Sequence, residues 1–129
     1  MHVFEKKCIL HVIEVIKKMK KGDIYYVELH ESIGSEQGGK RPVLILHKST
    51  STNQILVASL TTKKKKKLPV HISLSPSETG LHFSSLVLLE QIRPLSPHTF
   101  TKKIGKVKSV QKWEEIKEGL KVSLGLNFF

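Results

Sequence analysis

Apolar residues along this chain cluster in short runs separated by polar, glycine-containing breaks, and the period of each run indicates its local structure. Residues 24–29, Ile-Tyr-Tyr-Val-Glu-Leu, are β-branched, aromatic and apolar behind Gly22-Asp23, which predicts a strand. Residues 42–46 (Pro-Val-Leu-Ile-Leu) are almost continuously apolar and short enough for a buried strand. A polar stretch over 48–53 turns the chain, and residues 55–60 read as a third strand. Residues 68–74 read as a fourth, with Val70, Ile72 and Leu74 alternating on one face. Residues 76–80 form a turn and 86–92 a fifth strand, while a weaker segment, 104–107, is expected to pair at an edge. Ser109 can cap a final helix whose stripe is Val110, Trp113, Ile116, Leu120 and Leu124, interrupted by Gly119 and stopped near Gly125.

Successive strands joined by short polar turns and closed by one helix predict a mainly β fold: a small barrel-like antiparallel sheet plus a C-terminal helix. With 129 residues there is room for one core, and so short a chain gains from a partner subunit. Residues 1–18 stand apart. Val3, Phe4, Ile9, Val12, Ile13 and Ile16 partly follow helical spacing, but charges interrupt any apolar run, which is too short and too charged to span a bilayer. No small-residue cleavage site follows it. The segment is either an amphipathic extension or lies ahead of a start at Met19, leaving residues 19–129 as the domain. The expected location is the cytoplasm, and the single Cys8 rules out an internal disulfide.

Charge alters the picture more than composition does. A net charge of +11 points to nucleic acid, acidic membrane or acidic protein as a partner. Much of it lies in Lys17, Lys18, Lys20 and Lys21 and in the run from Lys63 to Lys67, which is either a solvated loop or a phosphate-holding strip. There is no zinc-type Cys/His spacing, no nucleotide-binding glycine loop and no serine-hydrolase elbow. The seven histidines are scattered, and a lone histidine at a loop or strand end is more often a polar surface residue than a base.

The segment 34–41 is the more informative one. Ser35, Glu36, Gln37 and Arg41 surround Gly38-Gly39 where a glycine-rich loop enters a buried strand. Pro42 fixes its own φ and biases Arg41 toward extended backbone, so the guanidinium is pre-oriented as a rigid fork for phosphate oxygens. The alternative is that Arg41 pairs with Glu36 or Glu90 and pins the loop.

The string Gly-Ser-Glu-Gln-Gly-Gly-Lys-Arg-Pro-Val-Leu at 34–44 resembles the signature of the MazF/PemK toxins. Gly-Asp-Ile-Tyr at 22–25, Leu-Thr-Thr at 60–62, Leu-Pro-Val-His at 68–71, Leu-Leu-Glu-Gln-Ile-Arg at 88–93 and Ser-Leu-Gly-Leu at 123–126 resemble further family segments in the same order. The resemblance covers roughly residues 20–129 and implies an SH3-like barrel of the kind shared with CcdB, of about five to seven strands. It further implies a homodimer, a sequence-specific endoribonuclease acting on single-stranded mRNA without a metal or other cofactor, and control by a MazE-like antitoxin. Carried over by motif, Arg41 and Thr61 are the residues central to cleavage. Glu36 is a candidate base, and Ser35, Gln37 and Lys40 support the loop. His71, Glu90 and Gln91 fall at RNA contacts, and Lys63, Lys64 and Lys65 can lie beside the substrate path. The expected chemistry is attack by the ribose 2′-hydroxyl on the adjacent phosphorus, with Arg41 supplying charge and a proton and Thr61 a neutral donor.

The match has departures. His30-Glu31-Ser32 stands where many members have Asp-Pro, the lysine-run connection is about one residue shorter, and the extension has no counterpart, so the cleavage sequence does not transfer. Two other functions share the architecture and charge: a CcdB-like poison that binds gyrase without catalysis, and an inert RNA-binding module. The first has no need of an Arg41–Thr61 pair. The second calls for an aromatic platform, and aromatic residues are only 6% of the chain.

Overall fold

The structure, a computed structural model, describes residues 16–29, 39–62 and 68–126. Among the described residues, six strands form one antiparallel sheet: β1 (Asp23–Leu29), β2 (Gly39–Lys48), β3 (Ile55–Thr61), β4 (His71–Leu74), β5 (Ser85–Leu95) and β6 (Phe100–Lys106). Their order is β4-β5-β3-β2-β1-β6, so among the described residues β4 and β6 are the edges and the barrel-like sheet is not closed by strand pairing. A short helix α1 (Pro76–Thr79) joins β4 to β5, a 3-10 turn (Pro97–Thr99) joins β5 to β6, and α2 (Val110–Ser123) ends the fold.

Alternation along the strands, shifted in phase at the bulges, produces two apolar layers, one on each side of the sheet. On one side Ile24, Leu44, Leu46, Ala58, Leu60, Ile72, Leu74, Val87 and Leu89 form a core with Leu81 of the α1 loop and Ile116 of α2. On the other side Val27, Val43, Ile45, Ile55, Val57, Leu95 and Phe100 pack around Met19. The ring of Tyr25 meets Phe100 edge-on at 5.7 Å and 83°. Burial, and then the charge of Asp23, push its phenol above the ordinary range.

Strands β1, β2, β3 and β5 occur where the apolar runs placed them, with the extended ends one to three residues longer. Three local expectations change. Residues 68–70 are not strand: the His71 N–H donates to the Leu68 carbonyl at 2.9 Å, closing a turn around Pro69 and Val70. Residues 76–80 form a helical turn, in which Glu78 accepts from both the N–H and the hydroxyl of Ser75 at 2.9 Å. The weak edge segment is a full strand, β6, paired with β1 from Asp23–Lys106 to Val27–Phe100. Helix α2 is capped by Ser109, whose Oγ accepts the Lys112 N–H at 3.1 Å. Ile116 is fully buried and Trp113 and Leu120 pack on the core, but Val110 and Leu124 of the expected stripe are 78% and 61% exposed.

Residues 16–18 are helical, and Lys48 Nζ donates to the Ile16 carbonyl at 2.9 Å. Cys8 and the rest of the extension, with the loop 30–38 and the run 63–67, lie outside the described residues. Among the described residues, no helix is long and apolar enough to cross a membrane.

Candidate nuclease face

Arg41 and Thr61 are twenty residues apart in sequence, and strand pairing brings them together. Strand β2 pairs with β3 through Ile45–Val57, Leu44–Ala58 and Val43–Ser59. Continuing that register by two residues on each strand brings Arg41 level with Thr61. Arg41 is also opposite Val27 of β1, and Thr61 is opposite Leu86 of β5, so both sit on paired backbone. Side chains two apart share a face, which puts Arg41 with Val43 and Thr61 with Ser59, on the side away from the α2 core. Both are partly buried, Arg41 near the start of β2 and Thr61 at the end of β3.

His71 and Glu90 make a second grouping on that face. His71 pairs with Leu88 across β4–β5, and Leu88 with Ser59 across β5–β3, so the imidazole shares the side of Ser59 and Thr61. At the ordinary strand spacing, β4 lies about 10 Å from β3. The histidine side chain is 4% exposed, and its nitrogens are both engaged. Nδ1 accepts the Leu68 N–H at 3.2 Å, which leaves the ring proton on Nε2, donated to Glu90 Oε2 at 2.6 Å. One ring thereby locks the Leu68–His71 turn and orients a carboxylate that is itself 38% exposed.

Glu90 is reachable because β5 bulges. Ala58 pairs with Ile92 and the next residue, Ser59, with Leu88, so residues 89–91 have no counterpart on β3. Such a bulge re-aims side chains out of the pleat, and Glu90 and Gln91 are both exposed within it. The backbone groups it frees find partners elsewhere. The Leu89 N–H donates to the Val70 carbonyl at 3.1 Å, and Ser123 Oγ donates to the Leu89 carbonyl at 2.6 Å. Gly119 lets the helix sit there: a Cβ at that position would stand 2.5 Å from Leu89 Cδ1.

A groove of about 660 Å³ runs beside this edge, lined by Leu68, His71 and Ile72 on one side and by Glu115, Gly119 and Val122 of α2 on the other.

The structure therefore sets Arg41 and Thr61 on one side of the sheet, with the bonded pair His71 and Glu90 on that same side, while Gln91 is the next, exposed residue of the bulge. Lys40 is exposed beside Arg41, opposite Glu28 of β1. Ser35, Glu36, Gln37, Lys63, Lys64 and Lys65 lie outside the described residues. Of the other histidines, His47, His82 and His98 are exposed, as expected of scattered ones, whereas His71 is buried. Sequence reading also missed the bulge and the role of Ser123. The available signal was Leu-Leu-Glu-Gln, where two polar residues break an apolar strand. It missed a second basic strip as well, Lys102, Lys103, Lys106 and Lys108, along β6 and just after it.

Comparison with known proteins identifies the family and the fold. Residues 20–124 match the family described as PemK-like, MazF-like toxin of type II toxin-antitoxin system. The chain is 35% identical to the endoribonuclease EndoA of Bacillus subtilis over 112 residues, covering 84% of this chain and 96% of that protein. It is 36% identical to the endoribonuclease MazF of Staphylococcus saprophyticus over 113 residues, covering 84% and 93%. In fold it resembles a mycobacterial endoribonuclease solved in complex with its cognate antitoxin, with a TM-score of 0.68, 22% identity and coverage of 84% and 96%. It also resembles MazF from Deinococcus radiodurans, with a TM-score of 0.65, 22% identity and coverage of 83% and 96%.

Proposed function

Since the chain belongs to the PemK-like, MazF-like toxins of type II toxin-antitoxin systems, we propose that the Arg41–Thr61 face is where it cuts RNA. The protein is the toxin component of such a system and an endoribonuclease. Its substrate is single-stranded mRNA, cut at a specific sequence. The 2′-hydroxyl oxygen attacks the adjacent phosphorus, the bond to the 5′-oxygen breaks, and the 2′-proton leaves to a base while the departing 5′-oxygen gains one. The ends are a 2′,3′-cyclic phosphate and a 5′-hydroxyl.

Charge gathers on the non-bridging oxygens as the phosphorus becomes five-coordinate, so fixed donors aimed there carry most of the rate. Arg41 supplies a permanent positive charge in a planar fork, and Thr61 a neutral hydroxyl beside it. Glu36 is the candidate acceptor of the 2′-proton, with Ser35 and Gln37 supporting its loop. No metal is needed in this scheme, because the guanidinium takes the role of the cation. The observation that carries the reading is the pairing of β2 with β3 up to Val43–Ser59, whose register, continued by two residues, sets Arg41 level with Thr61 on one face.

Glu90 and Gln91 read bases: the Glu90 carboxylate repels phosphate but accepts from exocyclic amino groups, and the Gln91 amide both donates and accepts. His71 keeps that carboxylate aimed. Lys40 and Lys63 to Lys65 hold the backbone phosphates on either side. The protein works as a cytoplasmic homodimer and is silenced by a MazE-like antitoxin; solved relatives bound to antitoxins support the pairing.

The decisive experiment is incubation of a long RNA with the protein in the presence of a chelator, followed by mapping of the ends. Cuts that persist and leave 5′-hydroxyls are expected. Absence of cuts, or cuts that require added metal, overturns the proposal.

A further inference from the structure

Glu90 belongs to a segment of β5 that β3 does not hold. Residues 89–91 have no partners on β3, and a bulge free to move by one residue would exchange the positions of Glu90 and Gln91, since neighbouring strand residues face opposite ways. Something outside the ladder must therefore fix where the bulge sits. Three interactions do so, and all meet at Leu89. Its N–H reaches the Val70 carbonyl at 3.1 Å. Its side chain, wholly buried, rests against the helix where Gly119 has no side chain. Its carbonyl takes the Ser123 hydroxyl at 2.6 Å, a hydrogen bond made from the last residue of α2 and 34 positions along the chain.

We propose that Ser123 is a positioning residue for base selection: by holding the Leu89 carbonyl it fixes the bulge and so keeps Glu90, and not Gln91, against His71. The inference rests on the reading of Glu90 as a base contact and adds to it the device that sets its register. Ser123 touches neither substrate nor reacting atoms and works through the peptide that precedes Glu90. Two clamps then act on one residue, His71 on the Glu90 carboxylate and Ser123 on the backbone behind it. The second clamp belongs to the helix, so the C-terminal turn of α2 is coupled to the choice of RNA sequence. The bond-making pair is on β2 and β3, away from this coupling, so Ser123 acts on selectivity and KM and leaves kcat to Arg41 and Thr61.

The test compares Ser123→Ala, Ser123→Thr and the natural protein in two measurements. The first is the ratio of kcat/KM for an RNA carrying the preferred site to that for the same RNA with one base changed. The second is the proton resonance of the His71 Nε2–H, which reports the bond to Glu90 without any RNA. Helical circular dichroism checks that each variant is folded. For Ser123→Ala, the ratio is expected to fall about three- to tenfold, the size of one ordinary hydrogen bond, through KM. The imidazole resonance should shift or broaden, and Ser123→Thr, which keeps the hydroxyl, should restore both. An unmoved resonance overturns the proposal by removing the coupling. A moved resonance with undiminished discrimination overturns it by removing Glu90 from base reading. If the natural protein cuts no RNA, the enzymatic reading fails before any variant is made, a result distinct from either.

Discussion

His71 and Glu90 are joined by a 2.6 Å hydrogen bond whose donor is fixed, because the other ring nitrogen already accepts the Leu68 N–H. Stability and recognition can be separated at this pair. His71→Phe keeps a planar ring but removes both hydrogen bonds of the imidazole, with an expected loss of about 1–3 kcal/mol in urea unfolding. Glu90→Gln keeps an oxygen to accept the Nε2 proton, so it should unfold within about 1 kcal/mol of the natural protein while changing which RNA sites are cut. Equal destabilisation by the two would contradict the assigned tautomer.

Arg41→Ala should lower kcat/KM on a fluorogenic RNA oligonucleotide by about 10²–10³, the loss found for a single transition-state donor worth roughly 2.7–4 kcal/mol. Thr61→Val, which keeps shape and removes the hydroxyl, should give a smaller loss in the same direction. Arg41→Lys should not restore the rate, since a point charge lacks the two-pronged geometry. Near-normal turnover by Arg41→Ala would take the guanidinium out of the mechanism.

Replacing Lys63 to Lys67 with alanine should flatten the dependence of RNA affinity on salt. For a single strand, every phosphate that the lysines no longer neutralise takes about 0.7 off the slope of log affinity against log salt. Binding isotherms at several ionic strengths measure it. An unchanged slope would return the run to solvated surface.

Gly105→Ala tests how α1 closes over the sheet. A Cβ on β6 at this point would stand 2.7 Å from the Thr79 carbonyl and 3.1 Å from Leu81 Cδ2. A carbonyl at the end of a helical turn cannot swing aside as a side chain can, so the substitution should cost about 1–3 kcal/mol, the usual range for overpacking. Thermal or urea unfolding measures it, and a neutral result would mean that α1 sits more loosely on β6 than these distances imply.

The strands and the helix were legible where burial and period agree, as in β2, whose apolar run is sandwiched between two cores. They were less legible where backbone pairing acts without hydrophobicity. Strand β6 reads Phe-Thr-Lys-Lys-Ile-Gly-Lys and is an edge, held mainly by its ladder to β1. The turn at 68–70 looked like strand because Val70 falls on the alternation, while the Leu68–His71 bonds that close it depend on a side chain.

For the site, Arg41 could be singled out from local chemistry, as a rigid cation before a proline. Its placement level with Thr61 depends on the β2–β3 register, which only the paired strands reveal. The bulge at 89–91 is likewise invisible in one strand, because a bulge is a mismatch between two. Burial of His71 followed from its place between β4 and the turn, which spacing could not show.

The two open edges bear on how the protein behaves when crowded. Strand β4 is four residues long between Pro69 and Pro76, and β6 carries Lys102, Lys103 and Lys106. A short, proline-bounded border and a lysine-studded one both discourage a neighbouring molecule from adding a strand there. Part of the excess positive charge thus has a colloidal purpose: it keeps copies from zipping into aggregates, whether or not any nucleic acid is present.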